Sequence, residues 1–190
     1  MKRHSPPGQI GFTLIELMVT LAVAAIVLTT AVPGFRQMIQ SNKVATDINA
    51  FVSALHLARS EAVKRGKPVT VCKSNNSASC AAANGWEQGW IVFVDTDGSG
   101  TLDVGEELLR VYDGLSAGTT LRGNSSVDDA VTFQPSGFAD AGSIILCDSR
   151  VQTFSSDKAL ARVVIISTRG RVRLVQGDNA DVALITCTPS

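Results

Sequence analysis

The pattern of apolar positions divides the chain into three successive regions. From Phe12 to Phe35 almost every residue is apolar or small, and Glu16 is the only charged residue between Arg3 and Arg36. A helix that crosses a membrane needs about 20 predominantly apolar residues. Residues 12–35 are therefore predicted to form a membrane-spanning helix.

In the second region, residues 36–66, apolar side chains recur at steps of three and four residues, which predicts an amphipathic helix continuous with the first. A single helix from about Thr13 to Arg65 follows, ending at Gly66 with Pro68 beyond it. Pro33 is predicted to kink this helix, because proline removes a backbone hydrogen bond. Counted from the last residue of the first region, the apolar positions are Phe35, Met38, Ile39, Ile48, Phe51, Val52, Leu55, Ala58 and Ala62.

In the third region, residues 67–190, short apolar runs alternate with clusters of Gly, Asn, Asp and Ser, a pattern typical of antiparallel strands. The predicted fold class is α+β, with the second half of a long N-terminal helix packed on an antiparallel β-sheet domain. The predicted strands are Val69–Cys72, Trp90–Val94, Leu108–Tyr112, Val131–Phe133, Ser143–Leu146, Arg162–Ile166, Arg171–Val175 and Val182–Thr186.

The N-terminal segment, residues 1–11, carries Lys2 and Arg3 but has no apolar stretch. These two charges favour a cytoplasmic N-terminus. An ordinary secretory signal has its apolar stretch before the cleavage site. Here the order is reversed, so the apolar helix would survive removal of a leader of residues 1–11.

The decapeptide Gly11–Thr20, with sequence GFTLIELMVT, places Glu16 within the apolar region. A lone charge at membrane depth costs about 2.5–3.5 kcal/mol on insertion scales, so such a residue is expected to have a function. The segment resembles the signal of type IV prepilins and pseudopilins. That resemblance implies cleavage by a prepilin peptidase between Gly11 and Phe12, methylation of Phe12, and a contact of Glu16 with the N-terminal ammonium of a neighbouring subunit. The alternative is a plain membrane anchor in which Glu16 has no role.

Five further segments carry a second resemblance: Ala54–Ala62, Val69–Cys80, Gly89–Asp95, Glu107–Arg110 and Gly170–Arg173. They resemble the GspH/FimT family of minor pilins and pseudopilins. The resemblance implies a structural and interaction protein of the inner membrane, with its domain in the periplasm and later in a pilus filament. Its partners would be other pilins, and it would assist assembly near the pilus tip. The alternative is a minor pseudopilin of type II secretion that binds no DNA.

The chain has four cysteines, all beyond the apolar region, which indicates two disulfides in an oxidising compartment. Four cysteines allow three pairings. We favour Cys72–Cys80, which closes a short polar loop, and Cys147–Cys187, which ties the end of the chain to a strand. A zinc site is the rival interpretation, but there is no C-x-x-C pair and no histidine nearby.

A basic cluster near the C-terminus comprises Arg150, Lys158, Arg162, Arg169, Arg171 and Arg173. In a strand that starts at Arg171, residues 171 and 173 point to one face and could bind adjacent phosphates. Some members of the FimT branch carry a similar Gly-Arg-x-Arg motif implicated in DNA capture for natural transformation. The resemblance thus implies that Arg169, Gly170, Arg171 and Arg173 bind double-stranded DNA. Alternatively, the arginines form a solvated face or contact acidic neighbouring subunits.

An acidic segment, Asp95–Glu106, matches the spacing of a calcium-binding EF-hand loop. Its flanks are predicted strands instead of helices, so we favour a β-hairpin loop, with calcium as the alternative. No other cofactor is predicted. The oxygen ligands would be Asp95, Asp97, Ser99, Asp103 and Glu106.

Composition limits the remaining possibilities. The formal charge is zero, and loss of Lys2 and Arg3 would leave 15 basic against 17 acidic residues, or −2. DNA binding must therefore be local. With His4 in the leader, His56 would be the one histidine left, which argues against an enzyme with a Ser-His-Asp triad. Trp86 and Trp90 could stack on bases but are expected in the core.

Overall fold

A computed structural model of the chain describes residues 11–81, 85–150 and 160–179. The chain divides into two compact units, with the boundary between Asn42 and Lys43. Helix α1, Leu14–Arg65, begins in the first unit and ends in the second. It confirms the predicted single helix and continues through Pro33.

The ends of α1 are formed as the sequence predicts. Thr13 precedes the helix, and its side-chain Oγ1 accepts a hydrogen bond from the backbone N–H of Glu16 at 3.3 Å. Gly66 follows the helix with φ +66°, and its N–H donates to the carbonyl O of Ala62. Glycine is favoured at this position because a left-handed φ costs it nothing.

In the first unit, the side chains of α1 are almost all exposed, including large apolar ones such as Phe35 at 65%. By length and composition, α1 is apolar enough to cross a membrane near the N-terminus. Exposed apolar surface of this extent marks contact with lipid or with other proteins.

The second unit contains eight described strands in two antiparallel sheets. The first sheet has the order β3-β2-β1-β5, and the second has the order β4-β6-β7-β8. The strands are β1 Val69–Lys73, β2 Trp90–Val94, β3 Leu108–Tyr112, β4 Thr119–Gly123, β5 Ala130–Phe133, β6 Gly142–Asp148, β7 Arg162–Ile166 and β8 Val172–Gln176. A short 3₁₀ helix, Trp86–Gln88, precedes β2, and another, Gly177–Asn179, follows β8.

The main core lies where the C-terminal part of α1 meets both sheets. Helix residues from Val44 onward share one apolar cluster with alternate residues of the strands, such as Val69 and Val71 of β1 and Ile144 and Leu146 of β6. This alternation follows from the two-residue period of a strand. The helix residues of the core are Val44, Ile48, Phe51, Ala54, Leu55, Ala58 and Ala62.

Two tryptophans fill the centre of this core. Trp86 is fully buried and Trp90 is 1% exposed. The Phe51 ring packs edge-on against both, at centroid distances of 5.2 Å to Trp86 and 5.1 Å to Trp90. The core interpretation is therefore confirmed, and neither indole is available to stack on a base.

The described strands differ from the sequence prediction in number, in sheet arrangement and at several ends, with β1, β5 and β6 longer than predicted. Strand β4 was not predicted, and there are two sheets within the predicted β-domain. Strand β8 begins at Val172, one residue after the predicted Arg171, because Arg171 still belongs to the turn. The predicted strand Val182–Thr186 lies outside the described residues.

Candidate nucleic-acid interface and neighbouring sites

The Gly-Arg-x-Arg motif lies at the tip of the β7–β8 hairpin. The turn is closed by two backbone hydrogen bonds, from Gly170 N–H to Ser167 O at 2.7 Å and from Ser167 N–H to Arg171 O at 3.1 Å. Gly170 has φ +68°. A short turn followed by a left-handed glycine is a common three-residue hairpin connection. The turn holds Arg169 and Arg171 on either side of the glycine.

Gly170 is also required by a close approach to a neighbouring turn. A Cβ atom added at Gly170 would lie 2.1 Å from the carbonyl O of Gly137. The two segments are joined by a hydrogen bond from Ala139 N–H to Thr168 O at 3.0 Å. The hairpin tip is therefore held against the 134–138 turn. This contact fixes the backbone that carries Arg169 and Arg171.

A pocket of about 510 Å³ opens beside the hairpin tip. It is lined by Arg59, Ser167, Thr168, Arg169 and Arg171. Three of these five side chains carry a guanidinium group, and the lining includes no acidic residue. Such a surface attracts anions, and a guanidinium can donate two parallel hydrogen bonds to a phosphate.

Arg59 belongs to α1 and was not among the predicted site residues. Its Nη2 donates a hydrogen bond to the carbonyl O of Arg169 at 3.1 Å. The sequence held one signal for it: an arginine three or four residues along the helix from the apolar Leu55, Ala62 and Val63. Periodicity alone could not show that this arginine meets a turn 110 residues later.

The other basic residues of the predicted cluster are arranged differently. Arg173 is exposed on β8, opposite Ile165 of β7, and does not line the pocket. Arg150 pairs with the buried Asp148 through Nη2 and Oδ2 at 2.5 Å. Arg162 is half-buried and donates to the carbonyl O of Ala161. Lys158 lies outside the described residues.

The arginines of the hairpin keep their charge uncompensated within the described part of the chain. Among residues 11–81, 85–150 and 160–179, no salt bridge involves Arg59, Arg169, Arg171 or Arg173. Several other cations of the domain are paired, such as Arg65 with both Glu61 and Glu107. The hairpin tip is therefore a local basic surface on a chain without basic excess.

The acidic segment Asp95–Glu106 connects β2 to β3, so it is a hairpin loop, as its flanks predict. Oxygens of Asp95, Asp97 and Glu106 lie within 4.8 Å of one another. Gly100, at the sixth position, has φ +77°. Ser99 Oγ donates to Asp103 Oδ2 at 3.0 Å. All five predicted ligand residues thus lie in one compact loop.

Hydrogen bonds within this loop already engage the carboxylates. Asp95 is fully buried, and it accepts from the backbone N–H groups of Gly98, Ser99 and Gly100 at 2.8–3.0 Å. Thr70 Oγ1 donates to the same carboxylate at 2.7 Å. The pKa of Asp97 is lowered, chiefly because the backbone N–H of Ser99 donates to it. These hydrogen bonds support the favoured hairpin loop, and calcium binding stays the untested alternative.

The first predicted disulfide is present. Cys72 and Cys80 are bonded, with Cα atoms 5.6 Å apart. The bond closes the polar loop that follows β1. Because both sulfur atoms are in the disulfide, Cys72 and Cys80 cannot bind zinc as thiolates. Cys147 is also disulfide-bonded, and Cys187, its predicted partner, lies outside the described residues.

The processing residues lie at the start of the described chain. Gly11 and Phe12 precede α1, and the Phe12 side chain is 85% exposed. Glu16 is exposed in the first turn of the helix. This is a favourable position for an acidic group, because the helix dipole is positive there. The arrangement leaves all three residues accessible to other proteins.

The sequence matches two family models. Residues 47–170 match the family described as type II transport protein GspH, and residues 7–32 match the prokaryotic N-terminal methylation motif. The GspH match covers more than half of the chain. The chain belongs to the GspH family. It is thus a minor type IV pilin or pseudopilin, and the expected resemblance is confirmed. No protein with a curated description matches the sequence.

Solved structures of two minor pilins share the fold of this GspH-family protein. The type IV minor pilin FimU of Pseudomonas aeruginosa, strain PAO1, aligns with TM-score 0.54 and 23% identity over 76% of this chain and 95% of FimU. The minor pseudopilin EpsH of the Vibrio cholerae type II secretion system aligns with TM-score 0.50 and 13% identity over 74% of this chain and 99% of EpsH. At these identities the likeness establishes the α+β pilin-like fold.

Proposed function

We propose that this GspH-family protein is a minor type IV pilin that also captures double-stranded DNA for natural transformation. In this proposal, prepilin peptidase cleaves after Gly11 and the new N-terminal Phe12 is methylated. The apolar helix then holds the protein in the inner membrane with its domain in the periplasm. The subunit later enters the pilus near its tip. It acts by binding and assembly and is not an enzyme.

The DNA-binding part of the proposal rests on the three guanidinium groups around the hairpin pocket. They come from Arg59, Arg169 and Arg171, with Arg173 exposed further along β8. Phosphate contacts from Arg supply most of the affinity of non-specific binding, and they carry no sequence information directly. The pocket lining includes no Asn or Gln suited to reading adenine. Binding should therefore be weak, salt-dependent and nearly independent of sequence.

Entry into the filament would depend on Glu16. Its carboxylate is exposed in the first turn of an apolar helix, and it has no salt bridge among the described residues. In an apolar filament core, the N-terminal ammonium of a neighbouring subunit would neutralise it. A buried charge whose partner is missing is strongly unfavourable, so this pair would select the correct packing position.

The second candidate function is a minor pseudopilin of type II secretion, which would bind no DNA. The description of the matching family favours it. In that case the hairpin arginines would contact carboxylates of neighbouring subunits. The two functions share the fold, the leader and Glu16, so only the ligand of the hairpin separates them.

The deciding experiment is fluorescence anisotropy of labelled duplex DNA with the domain from residue 36 onward, across a salt series. This domain retains every buried residue of the described core, which begins at Val44. Changing Arg169 and Arg171, two of the three pocket arginines, together to Gln should remove most binding at low salt. It should also flatten the log–log salt dependence by about 0.9 unit for each lost phosphate contact.

The control is Arg110→Gln, which removes one positive charge where the hairpin variant removes two. Arg110 is exposed on β3, at the opposite edge of the first sheet from β5 and the 134–138 turn. Its loss changes the net charge without touching the hairpin, so binding should persist. No binding by the unaltered domain at low salt would favour the secretion function. Equal losses in the hairpin and control variants would move the DNA site elsewhere.

A further inference from the structure

The guanidinium of Arg59 lies between two glycine backbones. A Cβ atom added at Gly170 would come within 3.2 Å of Arg59 Nε, and one added at Gly137 would lie 3.7 Å from Nε and Nη2. Both glycines have a left-handed φ, +68° and +81°. The absence of side chains at these two turns therefore leaves the space through which Arg59 passes from the helix to the hairpin.

Arg59 uses only part of its hydrogen-bonding capacity on the protein. A guanidinium has five N–H donors. One of them is directed at the carbonyl O of Arg169, and the side chain lines the same pocket as Arg169 and Arg171. No described residue forms a salt bridge with it. A half-buried cation with spare donors is screened less by salt than a fully exposed one.

We propose that Arg59 is a third phosphate ligand of the pocket, which binds one backbone phosphate of DNA while Arg169 and Arg171 bind adjacent phosphates. Arg59 also positions the hairpin through its bond to the Arg169 carbonyl. This inference rests on the proposed function, in that DNA is the source of the phosphate. It adds a residue outside the Gly-Arg-x-Arg motif and joins helix α1 to the binding surface.

The test uses the full-length protein, purified in a nonionic detergent, with labelled duplex DNA over a salt series. Arg59→Gln keeps a side-chain amide near the Arg169 carbonyl but removes the charge. It should lower the affinity and reduce the slope of log K against log salt by about 0.9 unit. Arg59→Lys keeps the charge and should retain the slope while weakening binding. Arg110→Gln is the matched control and should leave the slope unchanged.

The slope separates a phosphate ligand from a purely structural residue. A structural role would lower the melting temperature in both Arg59 variants and leave the slope at its original value. A slope for Arg59→Gln equal to that of the unaltered protein would therefore overturn the inference.

Inorganic phosphate separates failure of this inference from failure of the proposed function. If the unaltered protein binds no DNA, thermal unfolding with phosphate and with chloride at matched ionic strength decides the matter. Stabilisation by phosphate that is lost in Arg59→Gln would support the pocket and refute DNA capture. No specific effect of phosphate, together with no DNA binding, would overturn both.

Discussion

The requirement for glycine at the hairpin tip can be tested as a stability difference between two Gly→Ala variants. Gly170 and Gly66 have nearly the same backbone angle, φ +68° and +66°. An added Cβ at Gly66 meets nothing within 4 Å, whereas at Gly170 it would lie 2.1 Å from the carbonyl O of Gly137. The two substitutions thus share the cost of a left-handed alanine and differ in the steric clash.

The structure sets the size of each effect. A left-handed conformation costs an L-residue about 1–2 kcal/mol, which should be the whole cost of Gly66→Ala. At Gly170 the hairpin must also move away from the 134–138 turn. Overpacking of this kind adds about 1–3 kcal/mol. We therefore expect Gly170→Ala to lower the free energy of unfolding by about 2–5 kcal/mol.

The measurement is urea unfolding of the domain from residue 36 onward, followed by far-UV circular dichroism. Unchanged m-values would show that the comparison concerns stability alone. Gly170→Ala should also weaken DNA binding at temperatures where it is still folded, because the Arg59 bond to the Arg169 carbonyl depends on the same approach. Equal destabilisation by the two variants would refute the argument that Gly170 is required by the Gly137 contact.

Three further outcomes are expected. Gly11→Leu should block processing, whereas intact-mass spectrometry of the membrane-extracted, unaltered protein should show a chain that starts at Phe12; any other start would contradict the cleavage site. Glu16→Ala should insert into membranes at least as well, since it removes about 2.5–3.5 kcal/mol of insertion cost, yet be missing from sheared pili; normal amounts in pili would refute the role of Glu16. Calcium and EDTA should give the domain the same melting temperature, because the loop satisfies its own carboxylates. A saturable rise with calcium that Asp97→Asn abolishes would establish the calcium site instead.

The helix and most strands could be predicted because their signals are local. The boundaries of α1 follow from Thr13 and Gly66, and β2, β3 and β7 begin and end where their apolar runs do. Strand β4, by contrast, has the sequence TTLRG, in which Leu121 is the one large apolar residue. It becomes a strand because β6 supplies its hydrogen bonds, from Thr119 opposite Asp148 to Gly123 opposite Ile144. Pairing of this kind depends on a segment that is distant in sequence, so the residues of β4 alone do not predict it.

The candidate site was predicted in part for the same reason. Arg169, Gly170 and Arg171 are adjacent in sequence, and their turn chemistry is readable from the glycine. Arg59 joins them through a contact across 110 residues, and Arg173 leaves the pocket although it belongs to the motif. Side-chain direction at a hairpin tip depends on where the strand begins, and β8 begins one residue later than predicted, with Arg171 still in the turn.

The burial of both tryptophans determines what their fluorescence can report. The chain has two tryptophans, and both lie in the core around Phe51. Indole emission shifts when water reaches the ring, so excitation at the tryptophan band follows unfolding of the domain. Neither ring lines the pocket at the hairpin. Tryptophan emission therefore reports whether the domain is folded, and a ligand that binds at the hairpin should leave this emission unchanged. Binding at the hairpin has to be followed by a label on the ligand.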